Sequence, residues 1–330
     1  MRGSTLEDVA KAVGVSTMTV SRAVNGRPGV GPELRSRILE VAGSLGYRPN
    51  RAARGLAGTR TSTLGIVIPD ISNPFFSILV KGATDVARAA DKNVFIMNTD
   101  EDPELERAAI ASLSGEIIDG VIVAGSRLSR GALETAVAGF DAAVLINRAS
   151  ADPHIDSVNV DDKAGAMDAI AYLLGKGRRR IACIAGPKAS LSGRRRLSGY
   201  RQGLEAGGIR FDPALVERCV PTLEGGAVAL AALLARVPSI DAVIAYNDIV
   251  AISAMRVLAE SGRAVPGDVA VVGCDDVPFA SLVHPSLSTI RVDIASLGRI
   301  AMSRLLALGD GGRLGPSPII SPSLVVRESA

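Results

Sequence analysis

The chain of 330 residues is poor in aromatic side chains: six Phe, four Tyr and no Trp, 3% in all. Any adjacent aromatic pair therefore stands out. Cysteine is also scarce. Cys183, Cys219 and Cys274 are odd in number and far apart, which argues against a disulfide framework and suits a reducing compartment. The two histidines, His154 and His284, lie in polar or Pro-flanked stretches, with no nucleophile or metal-ligand cluster beside them. No apolar run approaches membrane-spanning length, and the first residues lack the apolar core of a secretion signal, so a cytoplasmic protein is expected. Nucleotide-dependent and hydrolytic α/β chemistry lack their signatures. There is no G-x-G-x-x-G, no G-x-x-x-x-G-K-[ST] and no G-x-S-x-G, and Gly175-Lys176-Gly177 has neither the spacing nor the hydroxyl.

What is present begins with the distribution of charge. The net charge is only +3, yet residues 1–60 hold ten Lys/Arg against four Asp/Glu, while the remainder holds 27 against 30. Positive charge is thus gathered where phosphate contacts would be made. Within it, Thr5–Gly26 reads as two short helices and a tight turn. Leu6, Val9, Ala10 and Val13 form one apolar stripe, Gly14 supplies the stop, and Ser16 is placed to cap the next helix. Val20 and Val24 give the second helix its buried side. Thr17, Met18, Ser21, Arg22 and Asn25 are left on its outward side or ends, a face suited to a DNA major groove. A third helix is predicted from Gly31-Pro32-Glu33 to about Leu45, with Leu34, Ile38, Val41, Ala42 and Leu45 buried. Asn50–Gly58 has helical composition but little to bury, so alone it is marginal.

From Thr61 the pattern becomes short apolar runs alternating with amphipathic helices. The runs are Leu64–Ile68, Val94–Met97, Val121–Ala124, Val144–Ile146, Ile181–Ala185, Ala242–Ala245 and Val269–Val272. That rhythm predicts parallel sheets covered by helices on both faces, divided into two lobes. The chain is expected to leave the first lobe near Asp156–Asn159 and to cross back near Pro285–Arg291. Ligands of such sheets bind beyond the carboxyl ends of the strands. There the sequence places Asp70, Asn98, Ser126, Asn147-Arg148, Asn247-Asp248 and Asp275-Asp276, together with the aromatic pair Phe75-Phe76. Such a ring of polar groups fits a small, hydroxyl-rich ligand. Arg178-Arg179-Arg180 reads as a solvated turn. Of Arg194-Arg195-Arg196, one member is expected to point into the cleft and the other two to be ordinary surface charge.

The combination Thr5-Leu6, Asp8-Val9-Ala10, Gly14-Val15-Ser16, Thr19-Val20-Ser21-Arg22 and Asn25 closely resembles the headpiece of the lactose-repressor family of bacterial transcription regulators. The resemblance extends over nearly the whole chain, through Val67-Ile68-Pro69-Asp70, Asn73-Pro74-Phe75-Phe76, Ile118–Ile122, Arg194–Tyr200, Tyr246-Asn247-Asp248 and Val272–Asp276. It implies an all-α helix-turn-helix headpiece (1–49), a hinge (50–60) and an α/β two-lobed effector and dimerisation domain (61–330) like that of periplasmic binding proteins. It further implies a pseudo-palindromic double-stranded DNA operator as partner. DNA contacts would come from Thr5, Leu6, Ser16, Thr17, Met18, Thr19, Ser21, Arg22 and Asn25, and from Asn50, Ala53 and Leu56 of the hinge. Leu56 would be the minor-groove wedge. Gly55 departs from the longer polar residue frequent there and weakens the hinge as a helix. Effector contacts would come from Asp70, Phe75, Phe76, Arg148, Arg196, Asn247 and Asp275, and Asn147 departs from the acidic residue frequent before the arginine. The side-chain chemistry agrees: Arg196 can fork to hydroxyls or a carboxylate, Asp275 can accept from two hydroxyls, and Asn247 can do either. With no C-terminal heptad segment after Leu324–Arg327, a homodimer is expected. No metal and no cofactor are expected beyond a small effector, most readily a sugar or sugar derivative, with a purine or other metabolite as the alternative. An α/β enzyme or a small-molecule receptor is the competing class.

Overall fold

The computed structural model describes residues 5–24, 28–45, 62–115, 118–150, 152, 155–312 and 314–330. The chain divides into a unit up to Thr61 and a unit from Ser62 to Ala330. Asn25, Asn50, Ala53 and Leu56 lie outside the described residues.

In the first unit, α1 (Leu6–Val13), α2 (Thr17–Val24) and α3 (Pro32–Ser44) pack around Val9, Ala10, Val13, Val20, Ala23, Ile38 and Ala42. α1 starts in a reciprocal cap. Thr5 Oγ1 accepts from the Asp8 amide, and the Asp8 carboxylate accepts from the Thr5 amide at 2.8 Å. Those bonds, with Lys11 nearby, hold the Asp8 carboxyl below its ordinary range. Gly14 ends the helix at φ 77°, where its N–H reaches the Ala10 carbonyl. Ser16 Oγ then accepts from the Thr19 amide at 3.1 Å and starts α2. One expectation needs correction: Leu45 is exposed and not part of the core. Val24 is half-buried and packs against the core, and Ala23 is buried within it, so the inward face of α2 includes a residue the apolar spacing did not name.

The second unit contains two six-stranded sheets. One has the order β11-β5-β4-β3-β1-β2, with β1 (Thr63–Ile68), β2 (Asn93–Asn98), β3 (Gly120–Ala124), β4 (Ala143–Ile146), β5 (Ile155–Val160) and β11 (Ile319–Ile320), all parallel. The other has the order β12-β10-β9-β8-β6-β7, with β6 (Ile181–Ala185), β7 (Val216–Arg218), β8 (Ala242–Ala245), β9 (Ala270–Asp275), β10 (Ser288–Arg291) and β12 (Ser323–Val325). Only β12 runs antiparallel, against β10. The central strands β1, β3, β4, β6, β8 and β9 are buried on both faces, which is why they read as continuous apolar runs. β2 differs. It is an edge strand largely open to solvent, with Phe95 and Ile96 exposed.

The helices are α4 (Pro74–Ala89), α5 (Pro103–Gly115), α6 (Arg130–Val137), α7 (Asp162–Gly175), α8 (Leu191–Ala206), α9 (Leu223–Arg236), α10 (Asp248–Glu260) and α11 (Ile294–Gly309). The chain passes between the lobes three times: after β5 into α7, after β10 into α11, and between β11 and β12. Two passages were expected. The third escapes because β11 and β12 are two and three residues long and pair only with distant strands. α11 seats against α4 at backbone distance: a Cβ at Gly298 would lie 2.1 Å from the Leu79 carbonyl oxygen, and one at Gly82 2.3 Å from that of Ala295.

Candidate DNA-binding face and effector cleft

α2 presents Thr17, Met18 and Arg22 to solvent, with Met18 64% exposed. Met18 and Arg22 are four residues apart, as are Thr17 and Ser21, so they form two neighbouring rows on the outward face. Val20 and Ala23 point the opposite way into the core. Ser16 and Thr19 are tied to each other at the helix start, with Oγ–Oγ1 2.9 Å. Thr5 serves first as a helix cap, and Leu6 packs against the headpiece core. Arg35 of α3 donates to the Ala23 carbonyl and anchors the end of α2.

In the second unit, strands of both sheets end at one cleft that is partly open to solvent. The helices that follow start beside it, each capped by a side chain: Asn73 accepts from the Phe75 amide, Ser190 from Gly193, and Asn247 from Val250, all at 3.0 Å. Of the expected effector residues, Phe75, Phe76, Arg196, Asn247 and Asp275 border the cleft. The two Phe rings meet edge to face with centroids 5.1 Å apart and are both buried, so each serves the core and the wall together.

Two of the expected effector residues, Asp70 and Arg148, are not among those that border the cleft. Asp70 Oδ1 accepts from the amide and hydroxyl of Ser72 and shapes the turn after β1. Arg148 lies behind the wall. It is buried, and its Nη2 donates to the carbonyls of Ser126 and Leu128, with a longer reach to Ala189 of the other lobe. Burial, and then the Arg194 charge, lowers its pKa.

The cleft residues missed from sequence include Glu101, Arg127, Ser190 and Tyr246, and Asn147 of the expected polar ring borders the cleft as well. Arg127 forks to Glu101, with Nη2–Oε1 2.8 Å, and its Nη1 donates to the Gly125 carbonyl. Glu101 is presented by strained backbone, since Asp100 and Glu101 are consecutive left-handed residues at φ 49° and 61°. The Tyr246 hydroxyl is bonded to Ser190 Oγ at 3.0 Å. Asn147 also has positive φ and spends its Oδ1 on the Val160 amide. The signal available for Arg127 was its position two residues beyond Gly125, in the polar segment after β3.

Arg196 is the electrostatic centre of the second lobe. Its Nε donates to Asp162 Oδ1 at 2.8 Å, Nη1 to the Tyr246 carbonyl, and Nη2 to Asp275 Oδ1 at 3.3 Å. Its guanidinium also lies 5.4 Å from the Tyr246 ring centre. Asp275 is nonetheless pushed up to about 7, because burial outweighs Arg196 and the charge of Asp162 adds to it. Asp248, fully buried beside it, is raised as well, by burial and then by Asp275, against the bonds from Thr289 and the Val277 amide. Arg195 reaches Asn159 of the first lobe at 3.3 Å, and Arg178 clasps the carbonyls of Pro266, Gly267 and Asp268, so neither is idle surface charge.

A helix-turn-helix unit joined in one chain to a two-lobed parallel-sheet unit with a polar interlobe cleft defines a ligand-responsive transcription regulator. Comparison with known proteins agrees. Residues 5–50 match the model of bacterial regulatory proteins of the lacI family, and residues 61–314 that of periplasmic binding proteins and the sugar-binding domain of the LacI family. The catabolite control protein A of Streptococcus mutans is 36% identical over 323 residues, covering 96% of this chain and 94% of that one. The lac repressor dimer bound to operator and the anti-inducer ONPF is 29% identical with a TM-score of 0.84, covering 99% of each chain. The CelR–cellobiose complex is 32% identical with a TM-score of 0.75, covering 99% of this chain and 100% of the other. The chain belongs to the lacI family of bacterial regulatory proteins and is a transcription regulator.

Proposed function

We propose that this regulator is a homodimeric repressor of carbohydrate-utilisation genes, controlled by a small sugar-like effector rather than acting as a catalyst. The observation that carries the reading is the pairing of an outward α2 face, cationic and unburied, with a cleft walled by Phe75, Phe76, Arg196, Asn247 and Asp275. On DNA, two α2 helices would enter successive major grooves of a pseudo-palindrome. Arg22 would read a guanine edge, Thr17 and Met18 the variable bases, and Ser16 and Thr19 the phosphates. Asn25, Asn50, Ala53 and Leu56 would complete the contact. In the cleft, a hydroxylated ring would stack on the Phe pair and bond to Arg196, Asn247 and Asp275. With the lobes joined by three crossings, closing on a ligand changes their relative angle, and a ligand that prefers one arrangement shifts DNA affinity by that preference. The exposed Phe95 and Ile96 on the β2 edge support pairing of two copies.

The test is a titration of the full chain on DNA from its own promoter at several salt concentrations. Saturable binding that weakens steeply with salt, with no substrate turnover, is expected. Calorimetry with a sugar panel tests the ligand, and binding of a purine and of no sugar would overturn the ligand class alone.

A further inference from the structure

We propose that Glu101 makes the cleft selective for an electrically neutral, hydroxyl-bearing ligand and against one carrying a carboxylate or phosphate. The proposal rests on the effector reading above and narrows it.

Two cations border the cleft, Arg127 and Arg196, and both already hold internal anions. Arg127 uses Nε and Nη2 on Glu101 and Nη1 on the Gly125 carbonyl. Arg196 is shared between Asp162 and Asp275. Each guanidinium thus already holds a carboxylate, and Asp162 keeps its second oxygen buried without a hydrogen bond. A further anion would have to displace a carboxylate from the Arg127 fork or remain beside it unpaired, and at this depth either costs heavily. The helix starts around the cleft offer no compensation, because Asn73, Ser190 and Asn247 already cap them. A hydroxyl meets no such obstacle. It can accept from guanidinium N–H groups left outside these bonds and donate to a carboxylate without adding charge.

Glu101 is the decisive member because it is placed for Arg127. Its backbone adopts the left-handed conformation at φ 61°, fixed by the bond from its amide to the Pro69 carbonyl, 3.0 Å. Its side chain is 15% exposed and that of Arg127 is 5% exposed, so the pair is little screened by solvent. Removing the Glu101 charge leaves Arg127 an uncompensated cation in a walled site, which is what an oxyanion seeks.

The test uses the full chain as wild type, E101Q, R127Q and E101Q/R127Q. Thermal midpoints are measured at pH 7 with inorganic phosphate against chloride at matched ionic strength. Phosphate held by the headpiece contributes equally to all four proteins and cancels. E101Q is expected to show a phosphate-dependent rise with apparent affinity about tenfold or more above wild type. The double variant is expected to lose it, and wild type to match R127Q. Glucose and glucuronate run in parallel, with glucuronate gaining only in E101Q. A wild type that responds to phosphate as strongly as E101Q overturns the proposal, as does an E101Q no more responsive than R127Q. Should E101Q not fold, wild type against R127Q still decides: a phosphate response that depends on Arg127 contradicts the filter, and equality supports it. Failure of the regulator reading would show as absent DNA binding, a separate measurement.

Discussion

Asp275→Asn should make the protein more stable and less responsive at the same time. Asp275 is buried beside Asp248, and burial with neighbouring acids raises its titration from 3.8 to about 7. At roughly 1.4 kcal/mol per pH unit, holding the anion above that pH opposes folding by at most about 4 kcal/mol. Asp248 shares the burden, being raised itself, so removing one charge returns about 1–3 kcal/mol. The unfolded carboxyl loses its proton near 3.8, whereas the folded one keeps it to about 7. Native stability from this site therefore declines as pH rises between those values and stays low above them. The variant lacks that decline, so its advantage at pH 5 is about a third of its full value, which it reaches by pH 8. Asparagine is close in shape to aspartate, so the φ of 116° adds little strain beyond what the wild type already carries, and Arg196 keeps Asp162. The cost falls on binding. A charge-assisted bond to an effector hydroxyl becomes a neutral one, a loss of about 1 kcal/mol or more and hence about tenfold in affinity. Urea melts at pH 5 and pH 8 and calorimetry with the active sugar read both effects. A variant less stable than wild type at pH 8, or binding the sugar undiminished, would refute the reasoning.

Arg22→Ala should remove about 1–3 kcal/mol of operator discrimination while weak, salt-sensitive binding to unrelated DNA persists, as read by competition gel shift. Gly298→Ala should force α11 from the Leu79 carbonyl and lower stability by about 1–3 kcal/mol or more in thermal melts, because the obstacle is backbone and cannot rotate away. Phe95→Lys on the β2 edge should weaken self-association in sedimentation without changing the monomer's circular dichroism, since the side chain is exposed.

Legibility in the sequence followed locality. The caps at Ser16 and Gly31-Pro32, the stop at Gly14 and the central strands were readable because each is set by a few neighbouring residues or by burial on both faces. Asn247 and Asp275 follow from taking the residues after each strand, and Arg196 from the Arg194-Arg195-Arg196 run, and all three border the cleft. The strand-end rule also names Asp70, whose carboxylate is bonded within its own turn, and Arg148, which donates to the Ser126 and Leu128 carbonyls, and neither borders the cleft. It missed the Arg127–Glu101 fork because the partners are 26 residues apart and meet only when β1, β2 and β3 are aligned. The strained backbone that aims Glu101 carries no glycine to announce it.

The most direct test of coupling between cleft and reader is fluorescence anisotropy of the full chain on its promoter DNA, with and without a sugar that binds, in wild type and Asp275→Asn. A sugar-dependent change in operator affinity of about 5-fold or more in wild type, diminished in the variant, is the expected result. A sugar that occupies the wild-type cleft yet leaves operator affinity unmoved would contradict it.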